Sequence, residues 1–262
     1  MSTDVRDIET AIEGSVAVVT LNRPRKRNAV SLAMWKRLAE IFTELKERPE
    51  IRVVILTGSG GSFCAGADIS EFETIRADAE AARAYEHATD AATIAIRDWP
   101  GPTIAAISGY ALGGGCGLAL ACDFRVADAS AKMGISAARL GIIYGALDTS
   151  LLHRQVGLAN AKRVLFSGEA LSYEECLRIG LVDIPADTDA LATARELASR
   201  FAGNAPLTLK GAKFILGAVA DGSVAAKAPA IAAIIDAGFL SADYREGRTA
   251  FMEKRKPAFV GR

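Results

Sequence analysis

The order of apolar and polar positions divides the chain near its middle. In the first half, short β-branched runs alternate with amphipathic stretches and glycine-rich turns. Val16–Leu21 (VAVVTL), bounded by Gly14 and by Asn22-Arg23-Pro24, predicts a strand. Ser31 predicts the cap of a helix running to about Lys46, which Pro49 stops. Residues 52–57 (RVVILT) are almost continuously apolar and predict a strand covered on both faces. They feed a glycine-rich loop over residues 58–66. Residues 79–98 have the composition of a helix, stopped by Pro100. Thr103–Ile107 predicts a strand, residues 109–117 a second glycine-rich turn, residues 118–122 a short buried helix and Phe124–Ala127 another strand.

From about residue 147 the helical pattern dominates. Ser172-x-x-Glu175 is a capping box. Alanine-rich helical segments follow at 189–203, 206–220 and 228–240, interrupted only by a brief strand signal at 181–184. No internal sequence repeat or low-complexity linker appears. The alternation predicts an α/β layered core followed by a helical C-terminal region, with residues 1–200 as the core and 201–262 as the helical part.

Composition narrows the function. The chain has 262 residues with Lys+Arg 31 and Asp+Glu 31, so its formal net charge is zero. That argues against non-specific nucleic-acid binding. Half of the residues are hydrophobic, enough for a sizeable core with some apolar surface left for other subunits. Only two histidines occur, His87 and His153, both read as structural, and they leave little for a metal site or a histidine-based triad. Cys64, Cys116, Cys122 and Cys176 form no Cys-x-x-Cys and match no zinc spacing, so free thiols and no metal are expected. Residues 1–13 carry charges and no apolar segment, unlike a signal peptide. The apolar stretch 111–122 is too short to span a bilayer. A soluble, cytoplasmic protein without a membrane partner is the expectation.

Two turns carry candidate chemistry. One is Ser62-Phe63-Cys64-Ala65-Gly66-Ala67-Asp68-Ile69; the other is Gly109-Tyr110-Ala111-Leu112-Gly113-Gly114-Gly115-Cys116-Gly117. Glycines entering a helix expose backbone N–H groups where the helix adds partial positive charge. Neither turn has the Gly-Lys-Ser/Thr of a phosphate-binding loop or a dinucleotide fingerprint. Two such turns facing each other would form an oxyanion hole; otherwise they are tight turns in close packing.

These residues resemble a family. Asn22-Arg23-Pro24 with Asn28-Ala29, Phe63-Cys64-Ala65-Gly66-Ala67-Asp68-Ile69, Ala111-Leu112-Gly113-Gly114-Gly115-Cys116 and Cys122-Asp123 are similar to successive motifs of the crotonase (enoyl-CoA hydratase/isomerase) superfamily. So is the ending Asp243-Tyr244-Arg245-Glu246-Gly247, Ala250-Phe251 and Glu253-Lys254-Arg255-Lys256-Pro257. The resemblance implies a spiral of ββα repeats with a helical C-terminal trimerisation region, assembled as a homotrimer or a dimer of trimers. It implies an acyl-CoA substrate, with coenzyme A as part of the thioester and no covalently bound cofactor. It places oxyanion donors at the Ala67 and Gly114 amides and an adenine pocket along Ala65, Asp68 and Ile69. Arg25 would lie near the nucleotide, and so would Phe251 and Lys254 from a neighbouring subunit. Two basic clusters, at 23–27 and 254–256, would then serve a polyanion; alternatively they are solvated surface charge.

One departure stands out. Hydration of an enoyl thioester needs one group to activate water and one to deliver a proton. The family's hydratases use two glutamates, and the matching positions here are Gly117 and Ala137. Tyr144 and Ser136 instead resemble the site of methylmalonyl-CoA decarboxylase, which differs at Ala67, where it has histidine. Loss of CO2 generates an enolate without a base, and Tyr144 would supply the proton or orient the leaving carboxylate; alternatively it is a packed aromatic whose hydroxyl makes a structural hydrogen bond. Asp148 is a weaker acid–base candidate, with helix capping as its alternative role; Asp123 reads as structural. Three functions follow: a lyase or decarboxylase, a hydratase or isomerase using non-standard acids, and a silent acyl-CoA-binding protein. The acyl pocket walls fall in the segment 71–98.

Overall fold

The computed structural model describes residues 7–75 and 78–262, so the expectations for residues 1–6 and for 76–77 of the pocket-wall segment lie outside the described residues. The elements in chain order are β1 (Ile8–Glu13), β2 (Val16–Leu21), α1 (Leu32–Lys46), β3 (Val53–Gly58), α2 (Phe72–Ile75), α3 (Ala79–Arg97), β4 (Thr103–Ile107), β5 (Tyr110–Leu112), α4 (Gly114–Ala121), β6 (Phe124–Ala127) and β7 (Lys132–Gly134). They continue as α5 (Ala146–Ser167), α6 (Tyr173–Arg178), β8 (Ile184–Pro185), α7 (Ala190–Ala202), α8 (Pro206–Ala220), α9 (Val224–Leu240) and α10 (Ala242–Met252).

A six-stranded sheet runs β1-β2-β3-β4-β6-β8, with β1 antiparallel to β2 and the other pairs parallel. Parallel strands need cover on both faces, and alternation along each strand supplies it. Val16, Val18, Val53, Ile55, Ile104 and Val126 pack against Ala190, Ala194, Leu197 and Ala198 of α7. Their sequence neighbours Ala17, Val19, Leu21, Val54, Leu56, Ala105 and Ile107 share the second core with Met34, Trp35, Leu38, Tyr85 and Ile96 of α1 and α3 and with α4. The short parallel pair β5-β7 forms a separate sheet at the mouth of that second core.

Several boundaries differ from the sequence expectation. β1 was not anticipated, because only Ile8 of IETAIE is buried and the rest of the strand is exposed. The strand expected at 181–184 shrinks to Ile184–Pro185 beside β6. The helix expected from 118 begins at Gly114, so the three glycines lie at or inside its first turn. α9 starts at Val224 and carries Pro229 within it. A boundary at residue 200 would cut α7, which packs on the sheet; the helices beyond the sheet start with α8.

The C-terminal helices are tied down by polar contacts. Buried Asp243 accepts from the Val260 amide at 2.7 Å and from the Gly261 amide. Arg52 donates to the Ala202 and Phe259 carbonyls. Lys213 reaches Asp123 at 2.7 Å, and Asp123 also accepts from Thr103, giving Asp123 the structural role expected of it. α9 buries no residue of its own, and Phe239, Leu240, Phe251 and Met252 stand exposed. No single described helix is long and apolar enough to cross a membrane; α9 and α10 pass that test only as a pair bent by 49°.

Candidate active site

The first glycine-rich turn is held by Asn28, a buried residue at φ 57. Its amide donates to the Ser59 and Ser62 carbonyls at 2.9 and 2.6 Å, and its oxygen accepts from the Arg23 amide. The turn then runs alongside β5: Cys64 N–H donates to Tyr110, and Leu112 N–H donates back to Cys64 at 2.9 Å. Ala67 bridges Val30, with Val30 N–H on the Gly66 carbonyl and Asp68 N–H on the Val30 carbonyl. In that pattern the Ala67 N–H points away from Val30.

The second turn meets it there. Gly113, at φ 51 and ψ −120, aims the chain into α4. A Cβ built on Gly114 would lie 3.8 Å from the Ala67 nitrogen, and one built on Gly66 would lie 3.5 Å from the Gly114 nitrogen. Among the described residues neither the Ala67 nor the Gly114 amide donates to an acceptor. Two amides without an acceptor, one at a helix N-terminus, thus lie close together. Trp35 backs it: its ring would stand 3.0 Å from a Gly114 Cβ, and its indole N–H donates to the buried Tyr85 hydroxyl at 2.9 Å. Gly66 has φ 101, and a Cβ there would meet the Leu112 carbonyl at 2.7 Å. Gly66→Ala is therefore expected to lower stability by about 1–3 kcal/mol and to reduce activity by spreading the two turns. Urea unfolding and turnover measured on the same sample check both effects.

One turn further along α4, Gly117 leaves open space, and two side chains fill it. A Cβ on Gly117 would lie 3.1 Å from the Tyr144 hydroxyl and 3.2 Å from Asp148 Oδ2. The Tyr144 hydroxyl donates to the Gly113 carbonyl at 3.2 Å. This is the structural hydrogen bond that the sequence offers as the alternative to a proton donor for substrate. Asp148 does not cap α5; its N-cap is Gly145, without a side-chain bond. The carboxyl is instead turned into the protein, where Thr93 donates to it at 3.5 Å. Burial, reinforced by the charge of Asp90, pushes Asp148 up to about 6, against the pull of Tyr144 and Thr93. Burial, then the Asp148 and Cys116 charges, pushes the Tyr144 phenol well above its ordinary value. Ser136, half-buried, opens the short turn after β7 and has no hydrogen-bond partner among the described residues. Ala137 packs on the core.

The basic cluster at 23–27 is only partly open. Buried Asp68 binds Lys26 at 2.7 Å and Arg23 at 3.0 Å. Burial acts to raise the Asp68 carboxyl, but Lys26, Ser70 and Arg23 together outweigh it and hold it at about 2. Arg27 lies over the Tyr110 ring. Arg25 is exposed and has no ion pair among the described residues, so it alone of the four is uncommitted. Arg23 and Lys26 do not form an open basic patch: through Asp68 they clamp the loop that carries Ala67. The clamp's contribution is present above the ordinary aspartate value near 3.9 and is lost as pH falls through about 2. Asp68→Asn is expected to lower stability by on the order of 1–2 kcal/mol near neutral pH, with the difference vanishing toward pH about 2. Urea midpoints across that range read it.

The Asp68 N–H is spent on Val30 and the Ala65 N–H on the Arg27 carbonyl, so those amides are not open to a ligand; Ile69 stands exposed beside them. Phe251 is 83% exposed and Lys254 sits exposed at φ 54; neither has a hydrogen bond or ion pair to Arg25 or Ala67 within this chain. Arg255 is taken by Glu246 and Glu253. All four cysteines are buried and unpaired, and both histidines are exposed. Among the described residues no group of His, Cys, Asp or Glu could hold a metal ion. Trp35 and Thr93 belong to the site without any sequence signal; each reads in the chain as an ordinary helix residue.

The enoyl-CoA hydratase/isomerase family model matches residues 11–262. The short-chain-enoyl-CoA hydratase of Clostridium acetobutylicum is 35% identical over 246 residues, covering 93% of this chain and 94% of that protein. The (E)-benzylidenesuccinyl-CoA hydratase of Thauera aromatica is 36% identical over 256 residues, covering 95% and 97%. Among solved structures, the enoyl-CoA hydratase of Bacillus anthracis superposes with a TM-score of 0.92 at 34% identity, covering 98% of this chain and 100% of that one.

Proposed function

The chain belongs to the enoyl-CoA hydratase/isomerase family, and from that premise we propose that it moves a proton at the α-carbon of an acyl-CoA thioester through an enolate held by Ala67 and Gly114. The observation that carries this reading is the proximity of those two amides, neither of which has an acceptor. As negative charge grows on the thioester oxygen, two fixed N–H dipoles and the α4 N-terminus meet it without reorganisation.

Asp148 is the acid–base group in this reading. A carboxyl held at about 6 is close to neutral pH, where a group can both accept and return a proton. It lies one helical turn from the Gly114 amide, in the room that Gly117 leaves. Hydration or double-bond isomerisation therefore ranks first. Decarboxylation ranks second: it rests on Tyr144 as proton donor, and the phenol is already engaged with Gly113. Pure binding ranks last, since it needs no pair of unsatisfied donors. Ser136 stays a hydroxyl available to the acyl group.

Assembly belongs to the same proposal. The exposed apolar surfaces of α9 and α10 suit burial against copies of this chain, as a homotrimer or a pair of trimers. Phe251 and Lys254 at the end of α10 would then meet a neighbour's nucleotide beside its Arg25. Buried free thiols suit a cytoplasmic location.

Incubation with crotonyl-CoA, a 3-enoyl-CoA and methylmalonyl-CoA, followed by mass spectrometry, tests the reading. Hydration or isomerisation of an enoyl thioester is the expected result. Consumption of methylmalonyl-CoA alone would replace it with decarboxylation. Tight binding of every thioester with turnover of none would replace it with a binding protein.

A further inference from the structure

The Tyr144 hydroxyl is 3.2 Å from the Gly113 carbonyl, and that carbonyl belongs to the same peptide group as the Gly114 N–H. The two atoms are the ends of one delocalised unit. A hydrogen bond that draws electron density toward the oxygen makes the N–H at the other end a stronger donor. Hydrogen bonds in such chains polarise one another by about 10–30% per bond. Tyr144 is thus connected to the candidate oxyanion hole through a peptide, with Asp148 set against its other side at the Gly117 cleft.

We propose that Asp148, Tyr144 and the Gly113–Gly114 peptide form a relay that sets the strength of the Gly114 donor, resting on the reading that this amide holds a thioester oxygen. Tyr144 is then a positioning residue that acts through the backbone. When Asp148 is protonated it donates to the phenol oxygen, and the phenol proton stays on Gly113. When Asp148 is ionised it attracts the phenol proton, Gly113 loses its partner, and the Gly114 N–H weakens. The one covalent change is loss of the Asp148 carboxyl proton to solvent; the phenol keeps its own proton and turns that hydrogen bond from Gly113 to Asp148. The groups facing Asp148 are Asp90 and Thr93 on α3 and Cys116 on α4, with Glu86 and His87 next to Asp90. Asp90 favours the protonated form of Asp148, and so does burial, which together hold it at about 6. The relay therefore switches within a pH range in which the protein can be assayed.

The test reads the carbonyl directly. The full chain is loaded with butyryl-CoA carrying a 13C label at the thioester carbonyl, and the carbonyl stretch is recorded by infrared difference spectroscopy. In the wild type the band should move to lower frequency on binding, and further below pH about 6 than above it. In Tyr144→Phe the displacement should shrink and become independent of pH, with kcat lowered roughly 3- to 10-fold and KM little changed. Asp148→Asn, which presents a donor at every pH, should keep the displacement and remove its pH dependence. A displacement that is the same in Tyr144→Phe and the wild type overturns the relay, as does pH dependence that survives in Asp148→Asn. A bound ligand with no displacement in the wild type would instead overturn the oxyanion reading itself, and the relay with it.

Discussion

Asp148→Asn is expected to lower turnover of an enoyl-CoA by about 10²- to 10⁴-fold, the range lost with a positioned acid–base group. The same change is expected to make the protein more stable above pH about 6. The sign follows from the direction of the shift. A carboxyl raised on folding binds its proton more tightly in the folded chain than in the unfolded one. Its burial is thus harmless below the ordinary value near 3.9, becomes costly as pH rises, and reaches its full penalty above about 6. Asparagine fills the same volume without a charge to bury. The gain should be on the order of 1–3 kcal/mol near neutral pH and should disappear in acid. Urea melts of both proteins across that range, beside steady-state assays, read the two effects together. A variant that is less stable at every pH, or that keeps full activity, would return Asp148 to an ordinary buried side chain.

The second large effect is expected from Gly114→Pro. Gly114 is the first residue of α4, where proline's fixed φ is tolerated and its missing N–H breaks no helical bond. What disappears is the donor that faces Ala67. Loss of one oxyanion donor should lower kcat by about 10²- to 10³-fold. The added ring also crowds Trp35, whose atoms stand 3.0 and 3.2 Å from a Cβ at this position. Gly114→Ala makes the same contact and keeps the N–H, so the ratio between the two variants separates the change at the N–H position, where proline puts Cδ, from the crowding of Trp35. Equal activity of the alanine and proline proteins would remove Gly114 from the oxyanion hole.

Much of the fold was legible in local pattern. The apolar runs of β2, β3, β4 and β6 and the capped starts of α1 and α6 declare themselves, because their neighbours along the chain already specify them. β1 does not: its exposed Glu9, Thr10 and Glu13 hide an edge strand whose partner β2 is specified elsewhere. β5 and β7, three residues each, exist only through each other. The site divides in the same way. That the two glycine turns expose N–H groups follows from composition, but their convergence depends on the Cys64–Ala111 bridge between distant segments. Asp148 in a first helical turn reads as a cap, and only the space above Gly117 turns it inward. Lys26 and Arg23 read as part of a polyanion site or as solvated charge until Asp68, some forty residues away, is folded against them.

The central claim is that Ala67 and Gly114 together hold the thioester oxygen of an acyl-CoA. A crystal structure of the protein with acetoacetyl-CoA, whose enolate resembles the proposed intermediate, tests it most directly. The prediction is a thioester oxygen about 2.7–3.1 Å from both amide nitrogens, with its α-carbon facing Asp148. A thioester seated away from either amide, or a bound ligand whose oxygen meets only water, would contradict it.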